Sequence, residues 1–314
     1  MKIVFMGTPE FAGTILNALI NAGHEITAVY TQPDRPKGRS GAPVPSFVGA
    51  MAAEKGIKTY KPLKIREASE VETLRTIPAD IFVVAAYGQF LSEEILNMPK
   101  YGCVNVHGSL LPKYRGASSI QRAIINGDAE TGVTIMKMDK GMDSGDMYVS
   151  ESIPITPEDD EETMYKKLAA LGAKLLVNLL PMIEAGTVKP VKQADSLVTF
   201  APMLKKEEGY IDFSRSAREI DCLIRGLRVW PTAYTFFGGK SLKIGKARPV
   251  SDSEVNAEGK PEKGALFFNG KRLFVKTGEG FLELLEVQPE SKKMMNASDF
   301  ARGARIQNGD KLGL

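Results

Sequence analysis

The sequence predicts an α/β fold, a mostly parallel sheet with helices on both faces, followed by a smaller C-terminal β-barrel. Two observations predict it. In residues 1–188, short apolar runs of strand length alternate with segments of helical periodicity, which is typical of a Rossmann-like sheet. In residues 209–314, short strands are separated by turns that carry Gly or Pro, which is typical of a small, OB-like barrel. Residues 189–208 lack periodicity and are expected to be a linker between the two domains.

The elements of the first domain follow from its apolar runs. Strands are predicted at residues 2–6, 26–30, 80–86, 103–106, 131–138 and 147–155. A helix is predicted at residues 9–22, and residues 48–55 and 67–76 are predicted to be helical or loop segments. Thr156 is expected to cap a long helix that ends at Gly186. Ligands of such sheets lie beyond the carboxyl ends of the parallel strands. Residues 6–9, 86–88 and 107–109 are therefore expected to meet at one site.

The second domain combines one helix with short strands. Residues 214–227 form an amphipathic pattern, and strands are predicted at residues 242–244, 264–268, 273–276 and 282–287. Residues 203–314 hold 20 basic and 15 acidic side chains, a net charge of +5, against 21 and 23, or −2, for residues 1–202. A basic domain of this kind favours a polyanionic partner such as nucleic acid.

Composition excludes several classes of protein. Charged residues make up 25% of the chain and hydrophobic residues 43%, as in soluble globular proteins, and no apolar run approaches membrane-spanning length. Cys103 and Cys222 are far apart, which indicates two buried thiols in a reducing compartment, so a cytoplasmic protein without a membrane partner is expected. Two histidines and two scattered cysteines cannot build a usual zinc site, so no metal is expected. Residues 7–13 lack the G-x-G-x-x-G spacing of a dinucleotide site.

The most informative motif is Asn-Val-His-Gly-Ser-Leu-Leu-Pro at residues 105–112. Asn105 and His107 alternate along a strand, so their side chains share one face. A Gly-rich loop further along the chain can bring Asp143 or Asp146 to the imidazole, and Asp143 is the better candidate. Donors aimed at the oxyanion of an acyl transfer each lower the barrier by roughly 3 to 4 kcal/mol, and an imidazole tuned by a carboxylate can manage the amine's proton. Acyl transfer is predicted; the alternative is ordinary polar residues at a strand end and in a turn.

The chain closely resembles the bacterial methionyl-tRNA formyltransferases, a branch of the 10-formyltetrahydrofolate-dependent formyltransferase family, over nearly its whole length. The matching segments are residues 5–9, 31–36, 105–112, 127–132, 145–146 and 229–231. The resemblance implies transfer of a formyl group from 10-formyltetrahydrofolate to the α-amino group of methionine on initiator tRNA. It implies a catalytic domain at residues 1–188 and a tRNA-binding barrel at residues 209–314.

The resemblance also implies roles for single residues. Asn105, His107 and Asp143 are expected to be catalytic. The amine attacks the formyl carbon directly, without a covalent enzyme intermediate, and Asp143 either acts as the base or tunes His107. The expected folate contacts are Ser109, Leu110, Leu111 and Pro112.

The segment from Pro33 to Pro45 is basic, rich in Gly and Pro, and predicted to be a surface loop. In the resembled family a loop at this position approaches the tRNA acceptor stem, which implies tRNA contacts for Arg35, Lys37 and Arg39. Family members often carry further basic residues after the position of Arg39, where this chain has Ser40, Gly41 and Ala42.

The catalytic set leaves other functions open, since related enzymes share it. The alternatives are an amino-sugar nucleotide formyltransferase and a formyltetrahydrofolate hydrolase. A nucleotide-binding regulatory module on the same scaffold is a further alternative, because fold does not imply function. The basic loop and basic barrel favour the tRNA enzyme, and a monomer is expected.

Overall fold

The computed structural model describes residues 1–36, 41–255 and 260–313. The chain divides into two compact units. The first contains Met1–Ser119, Thr131–Ile153 and Tyr165–Ala201, and the second contains Ile120–Glu130, Pro154–Met164 and Pro202–Leu314. The domain boundaries predicted from the sequence, at residues 188 and 209, stay a prediction.

The predicted α/β sheet is confirmed. Its strands and the neighbouring short pair are β1 (Lys2–Gly7), β2 (Glu25–Tyr30), β3 (Arg35–Pro36), β4 (Pro43–Val44), β5 (Thr59–Tyr60), β6 (Ile81–Ala85), β7 (Cys103–His107), β8 (Glu130–Lys137) and β9 (Met147–Pro154). Seven of them form one sheet in the order β5-β2-β1-β6-β7-β8-β9. The strands from β5 to β7 run parallel, and β8 pairs antiparallel with β7. The chain therefore changes winding direction between β1 and β6, where such sheets bind ligands.

Helices connect the strands, and the first three begin and end within one residue of the segments predicted for them. They are α1 (Glu10–Asn21), α2 (Phe47–Glu54), α3 (Ala68–Arg75), α4 (Glu93–Leu96), α5 (Ser119–Ile125) and α6 (Glu161–Glu184). On one side of the sheet, Val4, Met6, Phe82 and Val84 pack in a buried core with the residues of α3. On α6, a Cβ at Gly172 would lie 2.6 Å from Cγ1 of Val106, so this glycine allows the helix to approach the sheet.

The predicted start of the long helix is wrong. Thr156 does not cap α6, because its backbone and hydroxyl both donate to the Asp159 carboxylate at 2.9 Å. The helix begins five residues later, at Glu161. Asp160 and Thr163 exchange hydrogen bonds there: each backbone N–H donates to the other's side chain at 2.9 Å. This reciprocal pair satisfies the first free amides of the helix, so it determines where α6 starts.

The second unit contains an antiparallel half-barrel sheet. Its elements are α7 (Ala217–Gly226), β10 (Tyr234–Phe237), β11 (Lys240–Val250), α8 (Asp252–Val255), β12 (Leu266–Phe268), β13 (Leu273–Lys276), β14 (Phe281–Pro289), β15 (Met295–Asn296) and α9 (Ala297–Ala304). The sheet order is β10-β11-β14-β13-β12, with β15 beside β14, and β10 does not pair with β12 in the part of the chain that the structure describes. Ser216 and Glu219 form a capping box at the start of α7, and the apolar face of α7 packs on the sheet. The fold class predicted for this part is confirmed.

Candidate active site

Strand β7 carries the two residues that sequence analysis placed on one face. Asn105 pairs with Val84 of β6, and His107 pairs with Thr134 of β8, so both lie in the middle of the sheet with strands on either side. Asn105 is half-buried and the His107 side chain is only 7% exposed. Because alternate residues of a strand point the same way, the amide and the imidazole lie on a common face.

Asp143 brings a carboxylate to this face from the loop between β8 and β9. Its Oδ1 accepts a hydrogen bond from Asn105 Nδ2 at 3.4 Å, and its Oδ2 lies 3.7 Å from His107 Nδ1. Oδ2 also accepts the backbone N–H of Gly116 at 2.8 Å. The three predicted catalytic residues therefore meet, and of the two carboxylates that sequence analysis considered, it is Asp143 that reaches the imidazole.

Both ring nitrogens of His107 lie near oxygen atoms. On one side, Nε2 lies 3.0 Å from the backbone carbonyl oxygen of Tyr114. On the other side, Nδ1 faces the Asp143 carboxylate. The imidazole is thus placed between two oxygen atoms, the Tyr114 carbonyl at hydrogen-bond distance from Nε2 and the Asp143 carboxylate 3.7 Å from Nδ1.

The predicted folate-contact segment forms a tight turn after β7. Ser109 is fully buried, and its hydroxyl donates to the Lys113 carbonyl at 2.7 Å. Thr134 holds the turn from β8: its hydroxyl donates to the Ser109 carbonyl at 2.8 Å and accepts from the Leu111 amide at 3.1 Å. The Ser109 hydroxyl is thus part of the turn and is not presented as a nucleophile. Leu110 and Pro112 remain partly exposed and offer apolar surface on this turn.

Sequence reasoning missed two residues of the site, Arg115 and Gln193. Both side chains are buried, and they hydrogen-bond to each other. Gln193 lies in the segment that was expected to be a linker, yet its amide also bonds to the backbone of Asp143. A polar residue in a stretch without periodicity gives no local signal of burial, so pattern analysis could not have identified it.

The basic loop is described in part. Arg35 and Val44 are paired, as are Pro36 and Pro43, so the two arms of the loop form a short antiparallel ladder. Arg35 is exposed. Lys37 and Arg39 lie outside the described residues.

Among residues 1–36, 41–255 and 260–313, no cluster of three or more His, Cys, Asp or Glu side chains could hold a metal ion. No helix in that same part of the chain is long and apolar enough to cross a membrane. Burial raises the pKa of Cys103 to about 12 and also raises that of Cys222, so neither thiol is activated.

Comparison with solved structures identifies the fold. The N-formyltransferase from Helicobacter canadensis, in complex with folinic acid and dTDP-3-aminofucose, has a TM-score of 0.68 at 19% identity, over 92% of this chain and 99% of that one. HypX from Aquifex aeolicus, in complex with tetrahydrofolic acid, has a TM-score of 0.66 at 14% identity, over 96% of this chain and 47% of that one. At these identities the likeness concerns the fold alone.

Sequence comparison identifies the family. The model of the formyl transferase family matches residues 1–180, and that of the formyl transferase C-terminal domain matches residues 203–305. The methionyl-tRNA formyltransferase of Lachnospira eligens is 47% identical over 315 residues, 100% of both chains. That of Agathobacter rectalis is 46% identical over 310 residues, 98% of each chain. The chain therefore belongs to the formyl transferase family, in its methionyl-tRNA formyltransferase branch.

Proposed function

We propose that the chain formylates the α-amino group of methionyl initiator tRNA, with 10-formyltetrahydrofolate as donor, and so prepares the tRNA for translation initiation. The observation that carries this proposal is full-length similarity to methionyl-tRNA formyltransferases together with the meeting of Asn105, His107 and Asp143. The similarity supports the reaction, and the meeting of the three side chains supports their assignment as the catalytic set.

Asn105 and His107 stabilise the charge that develops on the formyl oxygen. One hydrogen of the Asn105 amide is directed to Asp143, and the second is available to the oxyanion. The imidazolium of His107 supplies a positive charge to the same atom. A preorganised donor and a nearby charge of this kind act most strongly where water is excluded.

Asp143 maintains the charge of His107 and takes part in proton movement. The neutral amine attacks the formyl carbon, a new C–N bond forms, and the bond to the folate nitrogen breaks. The amine loses one proton and the departing folate nitrogen gains one, so a carboxylate beside the reacting atoms can relay the proton, directly or through a water. No side chain is required as a nucleophile, in keeping with the buried turn position of the Ser109 hydroxyl.

The donor fits the turn after β7. A folate carries a flat aromatic ring system, and the partly exposed Leu110 and Pro112 provide apolar surface for it, with Ser109 and Leu111 forming the buried side of the turn. We assign these four residues to folate binding. Folate supplies the activated formyl group when it is bound.

We assign the acceptor contacts to the basic loop and the basic C-terminal unit. Arg35, Lys37 and Arg39 contact the tRNA, where cations bind phosphates and unpaired base edges. The exposure of Arg35 supports this role. We further propose that the protein acts as a cytoplasmic monomer.

The alternative acceptor is an amino-sugar nucleotide, and the alternative reaction is hydrolysis of the donor. The sugar 3N-formyltransferase WlaRD and the Helicobacter canadensis N-formyltransferase share 20% and 19% identity with this chain, far below the methionyl-tRNA formyltransferases. The lower identity favours the tRNA acceptor.

Transfer of radiolabelled formyl from 10-formyltetrahydrofolate to methionyl initiator tRNA tests the proposal, with methionyl elongator tRNA as the control. We expect label on the initiator tRNA, little on the elongator, and loss of label with His107→Ala. Donor hydrolysis without label on either tRNA would contradict the proposed acceptor, and full activity of His107→Ala would contradict the proposed site.

A further inference from the structure

A buried hydrogen-bond network joins the two loops that flank the catalytic residues, and Gln193 lies at its centre. Gln193 Nε2 donates to the backbone carbonyls of Asp143 and Gly145, both at 2.8 Å. Its Oε1 accepts from Nε and Nη2 of Arg115 at 3.0 and 2.8 Å. Gln193 is 4% exposed and Arg115 is 9% exposed. Both donor hydrogens and both lone pairs of the amide are therefore used inside the protein.

The backbone of Asp143 requires such support. Its φ angle is +48°, in the left-handed region, which costs roughly 1 to 3 kcal/mol for a residue with a Cβ and persists only where neighbouring structure imposes it. Gln193 holds the carbonyls of Asp143 and of Gly145, two residues later, from one side chain. It thereby fixes the turn that directs the carboxylate toward Asn105 and His107.

The other half of the network reaches the imidazole. Arg115 follows Tyr114, whose carbonyl lies against His107 Nε2, and the backbone of Arg115 pairs with the backbones of Thr199 and Ala201. At Gly116, φ is +121° and an added Cβ would lie 2.7 Å from the Ala201 carbonyl oxygen. The turn at residues 114–116 is thus held by the segment that also supplies Gln193.

We propose that Gln193 is a positioning residue for the transfer reaction and acts through Asp143, with Arg115 as its buried partner. The inference rests on the proposed catalytic role of Asp143. Gln193 does not touch the reacting atoms; it sets the distance between the carboxylate and the imidazole. Small displacements of a catalytic group can cost on the order of 100-fold in rate.

A double-mutant cycle tests this role in the full chain. In the otherwise unchanged protein, we expect Gln193→Ala to lower kcat for formyl transfer on the order of 10- to 100-fold, with KM for tRNA and donor within about threefold. In an Asp143→Asn background, Gln193→Ala should lower kcat by less than about a further threefold, because the carboxylate that Gln193 positions is already absent. Equal losses in the two backgrounds would show a merely structural role and overturn the proposal.

Gln193→Glu separates the two halves of the network. A carboxylate still accepts from Arg115, but it cannot donate to the carbonyls of Asp143 and Gly145. We expect it to lose as much activity as Gln193→Ala, and activity equal to that of the unchanged protein would overturn the proposal. Leu197→Ala, an exposed position in the same segment, is the matched control and should keep full activity.

Two failures are distinguishable. If Asp143→Asn keeps the full rate, the proposed catalytic set is wrong, and the role of Gln193 with it. If Asp143→Asn loses activity and both Gln193 variants do not, only the positioning role is wrong. Urea unfolding midpoints of all variants confirm that the comparison is between folded proteins.

Discussion

Replacing Asp143 by Asn removes the charge beside His107 and keeps the size of the side chain. In the structure, the two carboxylate oxygens accept from Gly116 N and Asn105 Nδ2. An amide has one oxygen, so it can satisfy only one of these donors. If that oxygen faces Gly116, the new NH2 group faces the NH2 group of Asn105, and the imidazole no longer lies beside a negative charge.

The magnitude follows from the distance between the charges. At 3.7 Å, with an effective dielectric constant of about 20, a unit negative and a unit positive charge attract each other by about 4.5 kcal/mol, which is the upper limit of what the carboxylate contributes to the transition state. Each 1.36 kcal/mol of transition-state stabilisation that is lost lowers the rate about tenfold. We therefore expect Asp143→Asn to lower kcat by between about tenfold and about 1,000-fold, with KM for tRNA changed by less than about threefold, since Asp143 does not contribute to tRNA binding in the proposed mechanism.

Single-turnover transfer of radiolabelled formyl to methionyl initiator tRNA measures this loss. Asp146→Asn is the matched control, because Asp146 belongs to the same loop and its backbone carbonyl, which the substitution keeps, accepts a hydrogen bond from Lys137 N. It should stay within about threefold of the unchanged protein. A loss below tenfold for Asp143→Asn, or an equal loss for both variants, would refute the electrostatic argument.

Two further predictions concern the ionisable side chains outside the site. The Arg122 guanidinium holds the pKa of Glu208 below its usual value. Glu208 therefore stabilises the folded state at every pH above its unfolded-state pKa of about 4.3. This contribution is lost as the pH falls through the unfolded-state pKa and then through the lower folded-state pKa. Glu208→Gln should lower the free energy of unfolding by about 1 kcal/mol at pH 7 in urea titrations, with the difference shrinking below about pH 4; a difference that stays constant with pH would contradict the ion pair. Cys103 and Cys222, both buried with raised pKa values, should react with a thiol reagent at pH 8 only after denaturation, and rapid labelling of the folded protein would contradict their burial.

Much of the fold is predictable because its signals are local. Apolar runs such as those of β1, β6 and β7 are short and bounded by turns, which indicates buried parallel strands. The start of α6 was predicted wrongly, with Thr156 as the cap, because several Thr and Asp residues in residues 156–163 are able to cap a helix. The residues that cap α6 are decided by the hydrogen bonds that form in the folded protein, and these lie between Asp160 and Thr163.

The sequence by itself determined the parallel sheet, the shared face of Asn105 and His107, and the chemical class of the site, since strand alternation and side-chain chemistry need no distant partner. Tertiary structure alone decided how the site is held together. The backbone of Asp143 adopts the left-handed conformation although Asp143 is not a glycine, and Gln193, 50 residues further along the chain, donates a hydrogen bond to its carbonyl. Contacts of that kind leave no periodic trace in the sequence, because they depend on where two loops meet after folding.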